Sequence, residues 1–173
     1  DHTILTGLIE MRFIGGDAAL YRKLETAFQK ELGRIKPGDF AEIKLAERDA
    51  RHQKHGATRY MVEPNIKEGK GGLRDLHTLF WIAKLAYRAD SIIDIVDKGV
   101  LRETEARRFA AAQRFLWTVR CHLHLLAGRP EERLGFDAQM SIAPRMGFAA
   151  RGGMRDVERF MKRYHLCLLY TSP

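Results

Sequence analysis

The sequence has few cysteines and no long apolar run. Its two cysteines, Cys121 and Cys167, are too few for a disulfide framework, so we expect reduced thiols and no redox chemistry. A membrane-spanning helix needs about 20 consecutive apolar residues, and no stretch approaches that length. The first residues also lack the basic region and apolar stretch of a signal peptide. These absences predict a soluble, cytoplasmic chain that binds no membrane.

Two catalytic patterns are absent as well. Nucleotidyl transfer by two metal ions uses paired carboxylates in an Asp-x-Asp pattern, and the chain contains none. A phosphohydrolase of the His-Asp type needs an adjacent His-Asp pair, which is also missing. Cys121, His122 and His124 cannot converge on one metal ion, because side chains so close on a helix point in different directions. The sequence therefore predicts no catalytic residue and no metal site within this chain.

What the chain has is a globular composition and an excess of positive charge. It contains 173 residues, of which 45% are hydrophobic and 30% charged, which is enough for one ordinary domain with a core. The 30 Lys and Arg against 22 Asp and Glu give a net charge of +8, which favours an anionic partner. Because no tract of consecutive basic residues occurs, we favour a solvated basic surface over a nucleic-acid interface.

Apolar residues recur at helical spacing along most of the chain, and no segment shows sustained β alternation. The predicted helices lie near residues 1–14, 17–33, 40–54, 73–83, 91–97, 102–127, 137–147 and 154–169. We therefore predict an all-α helical bundle in which residues 102–127 form the central helix.

Three of these helices carry specific expectations about burial. In the first two, we expect apolar faces formed by Ile4, Leu8, Met11, Ile14, Leu20, Leu24 and Phe28. The third is mostly polar and should lie largely exposed, with Ile43, Ala46 and Ala50 as a thin apolar stripe.

A glycine-rich loop that leads directly into a helix is the strongest local feature. It reads EPNIKEGKGGLRDLH from Glu63 to His77. The glycines allow backbone amides to approach a ligand, and a helix N-terminus presents free N–H groups and the positive end of its dipole. The candidate phosphate-binding residues are Lys67, Gly71, Gly72, Arg74 and Asp75. An equally weighted alternative is a tight turn, with Asp75 in the first helical turn because an acidic side chain is favoured there.

A second polar cluster, residues 51–56, precedes this loop. Arg51 and His52 are secondary candidates for the same site because the two segments are close in sequence, and His77 is a third. The alternative that we favour for residues 51–56 is a solvated helix terminus.

The loop and its surroundings carry a family resemblance. Residues 59–84, which include the glycine-rich loop, closely resemble the bacterial bifunctional uridylyltransferase/uridylyl-removing enzymes that modify the PII nitrogen-signalling protein. The similarity covers residues 1 to about 164. It also includes the segments 10–17, 51–56, 116–129, 133–139 and 157–164.

The resemblance implies a helical region between two active sites of a larger enzyme. A nucleotidyltransferase domain would end at residue 16, residues 17–165 would form the helical domain, and a His-Asp phosphohydrolase domain and ligand-sensing domains would follow. The implied chemistry is Mg²⁺-dependent transfer of UMP from UTP to a tyrosine of PII, reversed by hydrolysis, with glutamine as the effector. The ligands of Mg²⁺ would then lie outside this chain, and the fragment alone is expected to be inactive.

The chain departs from the family pattern in two places, and two alternatives stay open. Lys70 stands where proline is usual, and residues 166–173 resemble the family so little that we expect a non-native or truncated tail. One alternative is the related glutamine-synthetase adenylyltransferase, which usually has an acidic residue where His77 stands here. The other is a stand-alone basic helical module that binds RNA or an acidic protein, with an affinity that falls steeply with salt.

Overall fold

The computed structural model describes residues 2–55, 58–89 and 91–170. It confirms the predicted all-α fold, since α-helices and no strands occur in these ranges. The helices are α1 (His2–Ile9), α2 (Ala18–Leu32), α3 (Pro37–His55), α4 (Leu73–Tyr87), α5 (Ile92–Asp97), α6 (Glu103–Ala127), α7 (Phe136–Arg145) and α8 (Asp156–Tyr170). None of them is long and apolar enough to cross a membrane.

Helix ends follow local sequence signals. Asp17 caps α2, because its Oδ1 accepts hydrogen bonds from the backbone amides of Ala19 at 2.7 Å and Leu20 at 3.2 Å. Ser91 begins α5 in a capping box. Gly128 ends α6 with a φ of +64°, a left-handed conformation that glycine adopts without steric cost.

The larger core surrounds α6. Leu116, Val119 and Leu123 of this helix are fully or almost fully buried, as the predicted central stripe requires. They pack with Phe160 and Tyr164 of α8 and with apolar side chains of α4 and α7. Burial of such a continuous apolar cluster is the main stabilising contribution to a bundle of this kind.

A smaller core joins α1, α2, α3 and α4. Its buried side chains are Ile9, Phe28, Leu32, Phe40, Trp81 and Leu85. Only the C-terminal part of α2 reaches this core, so Leu20 and Leu24 of its expected apolar face do not pack into it; their exposed fractions are 66% and 47%. α1 ends at Ile9 and not near residue 14 as predicted, so Ile14 lies beyond the helix and is 87% exposed; Ile4 is 63% exposed.

The polar helix α3 does not present its predicted apolar stripe to the bundle. Ala46 and Ala50 are exposed, whereas Phe40, Lys44 and His52 are buried on the inward face. Of the expected stripe, Ile43 is half-buried and the two alanines are exposed, so the stripe does not form the inward face. Phe40 is buried in the smaller core, and His52 is buried against a carboxylate of α4 that is described below.

The last helix runs past the predicted domain end at residue 165. Residues 166–170 continue α8, and Cys167 and Leu168 are buried. Burial raises the pKa of the Cys167 thiol, and both Cys121 and Cys167 are free. The domain boundaries at residues 16 and 165 and the atypical character of the tail stay predictions, and residues 171–173 lie outside the described part.

Candidate functional site

The glycine-rich loop is held first by its own backbone. The Asn65 side-chain oxygen accepts hydrogen bonds from the amides of Lys67 at 3.0 Å and Glu68 at 2.7 Å. The Asn65 carbonyl accepts from Gly69 at 3.0 Å. Asparagine favours this local turn because its short side chain reaches the backbone two or three residues ahead. The turn places Lys67 and Glu68 ahead of the start of α4.

The loop then folds back onto the first turn of α4. The amides of Leu73 and Arg74 donate to the carbonyls of Ile66 and Lys67 at 3.0 and 2.9 Å. The Gly72 amide donates to Gly69 at 2.8 Å, and the Gly71 amide donates to an Asp75 carboxylate oxygen at 2.7 Å. The expectation of free N–H groups is therefore wrong for these four amides. A ligand at this loop would find none of these four amides free.

Two glycines are required by close backbone approach. A Cβ atom at Gly69 would lie 2.5 Å from the Asn65 carbonyl oxygen, and one at Gly72 would lie 2.6 Å from the Ile66 carbonyl oxygen. Gly71 has a φ of +79°, which L-residues other than glycine rarely adopt. The glycines thus allow the tight fold of the loop, and the predicted binding of phosphate by Gly71 and Gly72 would require their amides to leave the hydrogen bonds described above.

A segment far away in sequence fixes the other side of the loop. The Ile66 amide donates to the Glu132 carbonyl at 2.8 Å, and the Leu134 amide donates to the Pro64 carbonyl at 2.9 Å. The Glu132 carboxylate is held by the Arg120 guanidinium of α6 through three hydrogen bonds of 2.6 to 3.1 Å. This bidentate pair is a strong, oriented contact.

Sequence reasoning missed this second attachment, including a carboxylate and a buried glutamine. Glu63 accepts from the Phe136 amide at 3.0 Å, and this hydrogen bond, followed by that from Arg133, lowers the pKa of the Glu63 carboxyl group. Gln139 Nε2 donates to the Val62 and Leu134 carbonyls at 2.7 and 2.9 Å. The only sign of Gln139 in the sequence was its polar side chain at an inward position of α7.

Asp75 forms a buried cluster with two of the secondary candidates. Its side chain is almost fully buried, and one oxygen accepts from Arg51 Nη2 at 2.6 Å while the other lies 2.7 Å from His52 Nε2. The second oxygen also accepts from the Gly71 amide. The structure thus brings Arg51 and His52 together with the loop. Neither alternative, a phosphate site or a tight turn with an acidic first-turn residue, predicted this contact, and it is compatible with both.

The remaining basic candidates surround a different carboxylate, that of Glu68. Lys67 Nζ and Arg74 Nη2 lie 3.6 and 3.5 Å from Glu68 Oε1, and Arg51 Nε lies 3.6 Å from Oε2. We call Arg51, Lys67 and Arg74 the loop cations. The side chains of Lys67 and Arg74 are each 34% exposed, so a ligand can reach them from solvent.

His77 lies one helical turn further along α4, against aromatic rings. Its ring centroid is 5.9 Å from that of Trp81 and 6.1 Å from that of Trp117. Burial is the main cause that lowers the pKa of His77, and the charges of Arg74 and Lys67 are among the groups that act on it. No ligand role follows from this geometry.

In the described ranges, no group of three or more His, Cys, Asp or Glu side chains is arranged to hold a metal ion. The Mg²⁺ implied by the resemblance therefore has no fitting set of ligands among these residues.

Comparison with known sequences identifies relatives. The sequence model of the family GlnD PII-uridylyltransferase matches residues 39–171. The chain is 52% identical over 166 residues to the bifunctional uridylyltransferase/uridylyl-removing enzyme of Bradyrhizobium sp. (strain ORS 278), and 55% identical over 166 residues to that of Rhodospirillum rubrum. Each alignment covers 96% of this chain and 18% of the relative, so the chain spans less than a fifth of the relatives' length. No solved structure matches the chain.

These matches confirm the resemblance stated from the sequence. The family match includes α3 through α8, and with them the loop, the loop cations and Asp75. The individual roles of the candidate residues are not tested by the comparisons and stay predictions. The chain belongs to the PII-uridylyltransferase family.

Proposed function

We propose that this chain is part of an enzyme that transfers UMP from UTP to a tyrosine of a PII protein and removes it by hydrolysis. Family membership supports the reaction class, since the relatives named above are called uridylyltransferase/uridylyl-removing enzymes. The proposal includes Mg²⁺ as the cofactor and glutamine as the effector of the intact cytoplasmic protein, with the catalytic carboxylates and the His-Asp site outside this chain. On this proposal the fragment alone is inactive.

Within that enzyme, we propose that the loop cations bind the phosphates of the nucleotide. The observation that carries this proposal is the convergence of three cationic side chains at 3.5 to 3.6 Å around Glu68. Polyphosphates are recognised by such clusters because guanidinium and ammonium groups donate charge-assisted hydrogen bonds.

Each loop cation has a separate structural support. Lys67 precedes Glu68 in the turn that Asn65 closes, and Arg74 is fixed by its helix. Arg51 comes from α3, and its contact with Asp75 holds the guanidinium beside the loop. Rigidly supported donors lose less conformational entropy when they bind a ligand. In this role Asp75 and His52 position Arg51 and the loop, without contact to the nucleotide.

The test is Arg74→Ala in the intact enzyme. Loss of one charge-assisted contact to phosphate is expected to raise the KM for UTP about tenfold or more. Arg107→Ala is the matched control, because Arg107 makes an exposed pair with Glu103 on α6, away from the loop. An unchanged KM for UTP in a folded Arg74→Ala enzyme would remove the phosphate assignment.

The two alternatives have less support. The relatives named above carry the name of the uridylyl enzyme, which favours it over glutamine-synthetase adenylyltransferase. For a stand-alone RNA-binding module, a stripe of basic residues with interleaved aromatic residues is expected, and the sequence offers none.

A further inference from the structure

The carboxylate of Glu68 is surrounded by cations but is not hydrogen-bonded to any of them. Its three ion-pair distances, to Arg51, Lys67 and Arg74, are 3.5 to 3.6 Å. Hydrogen bonds from N–H groups to oxygen are usually about 2.7 to 3.2 Å long. The Nε of Arg51 is buried and has no hydrogen-bond partner among the described residues. Donors on the loop cations therefore stay available.

The Asp75 carboxylate, in the same cluster, has close hydrogen-bond partners on both of its oxygens. Its two oxygens take three contacts of 2.6 to 2.7 Å, and its side chain is only 3% exposed. The Glu68 side chain is 21% exposed, and its backbone amide is separately fixed by Asn65. The Glu68 side chain can consequently rotate outward without breaking the turn, whereas Asp75 cannot leave.

A phosphoryl group matches the position of the Glu68 carboxylate better than the carboxylate does. It carries close to two negative charges and three acceptor oxygens, against one charge and two oxygens. The three cations face two carboxylates, those of Glu68 and Asp75, which leaves an excess of one positive charge that a phosphoryl group in place of Glu68 would neutralise more completely.

We propose that Glu68 occupies the place of a phosphoryl group and leaves it when a polyphosphate binds. This inference rests on the proposed function of the loop cations and adds that the site carries its own competing anion. The ligand class is a di- or triphosphate, and the competition lowers the affinity of the site for it.

The experiment measures binding of inorganic tripolyphosphate to the 173-residue chain by calorimetry at fixed ionic strength. Glu68→Gln is expected to bind it about five- to tenfold more tightly, because a like charge near the ligand is removed. Glu158→Gln is the matched control, because it changes the net charge by the same amount. Glu158 lies on α8 and forms an exposed ion pair with Arg155. Glu68→Asp keeps the charge, but its side chain is one methylene group shorter and places the charge further from the three cations. This variant is therefore expected to bind tripolyphosphate more tightly than the unmodified chain does.

The outcomes separate this inference from the function on which it rests. If Arg74→Ala weakens tripolyphosphate binding but Glu68→Gln binds no more tightly than Glu158→Gln, the loop cations bind phosphate and the competing role of Glu68 is refuted. If Arg74→Ala has no effect either, the phosphate assignment itself fails. If Glu68→Gln does not fold, Glu68→Asp decides, and an affinity equal to or below that of the unmodified chain overturns the inference.

Discussion

Replacing Asp75 tests how its carboxylate stabilises the fold: through the buried ion cluster or through the helix dipole. Asp75→Asn keeps the shape of the side chain and one acceptor for the Gly71 amide. It removes the charge that faces Arg51 at 2.6 Å and His52 at 2.7 Å. Because the Arg51 side chain is only 14% exposed, its guanidinium would be left largely desolvated, with only the Glu68 carboxylate 3.6 Å away as a counter-charge.

The expected loss in the free energy of unfolding is about 3 to 5 kcal/mol, the usual effect of removing one partner of a buried pair. In a chain of this size, each kcal/mol lowers Tm by about 2 to 4 °C, so we expect a fall of about 10 °C. Urea unfolding followed by circular dichroism measures the free energy, and a thermal scan measures Tm.

Asp137→Asn provides the control. Asp137 also lies in the first turn of a helix, α7, but is exposed, so only its dipole interaction of about 0.5 kcal/mol should be lost. If Asp75→Asn lowers the free energy of unfolding no more than Asp137→Asn does, the buried cluster does not stabilise the fold and our reasoning is refuted.

The double variant Arg51→Met with Asp75→Asn should lower the free energy of unfolding by less than the sum of the two single changes. The reason is that removal of both charges leaves neither of them unpaired.

Three further predictions concern the loop and its neighbours. Gly72→Ala should lower the free energy of unfolding in urea by about 2 kcal/mol or more, because the new Cβ would lie 2.6 Å from a carbonyl oxygen. Gly38→Ala is the control and should not lower it, because the space around Gly38 is open. Glu132→Gln should lower the free energy of unfolding by about 1 to 2 kcal/mol and speed hydrogen exchange of the Ile66 amide, since the bidentate pair with Arg120 is lost. Burial lowers the folded-state pKa of His77, so the stability present above its unfolded pKa of about 6.5 falls as the pH drops toward the folded pKa. His77→Gln should make stability measured between pH 7.5 and 5.5 less dependent on pH, and an unchanged slope would contradict this assignment.

The helices could be predicted because their signals are local. Asp17, Ser91 and Gly128 act on residues within one turn of themselves, and the central stripe of α6 repeats within a single helix. The same local reasoning found the loop, because three glycines beside Asn65 require an irregular backbone. For Arg51 and His52 it favoured a solvated helix terminus, which is wrong, because both side chains are largely buried against Asp75; their placement near the loop was only the secondary interpretation.

The burial pattern of α3 could not be predicted, because the partner of a buried charge is not visible in the sequence. Apolar periodicity favours Ala46 and Ala50 as the inward residues, yet His52 is buried since Asp75 lies 2.7 Å from it. The attachment of Ile66 to Glu132 is equally invisible, as these residues are far apart along the chain. The expectation of free amides at the start of α4 was wrong because the loop folds back onto the helix, and the amides donate hydrogen bonds to acceptors of the same segment.

The position of the loop cations depends on how α3 packs against α4. Lys67 and Arg74 belong to the loop and α4, but Arg51 belongs to α3, and Asp75 sets its distance from them. The other end of α3 is anchored by Phe40, which is fully buried in the smaller core with Ile9 of α1. A shift of α1 or α2 that repacks this core would therefore move α3 and change the spacing of the three cations. The proposed binding surface, built from side chains of two helices, is therefore expected to respond to changes in residues that precede it in the chain, while the loop backbone is held separately by Asn65 and Glu132.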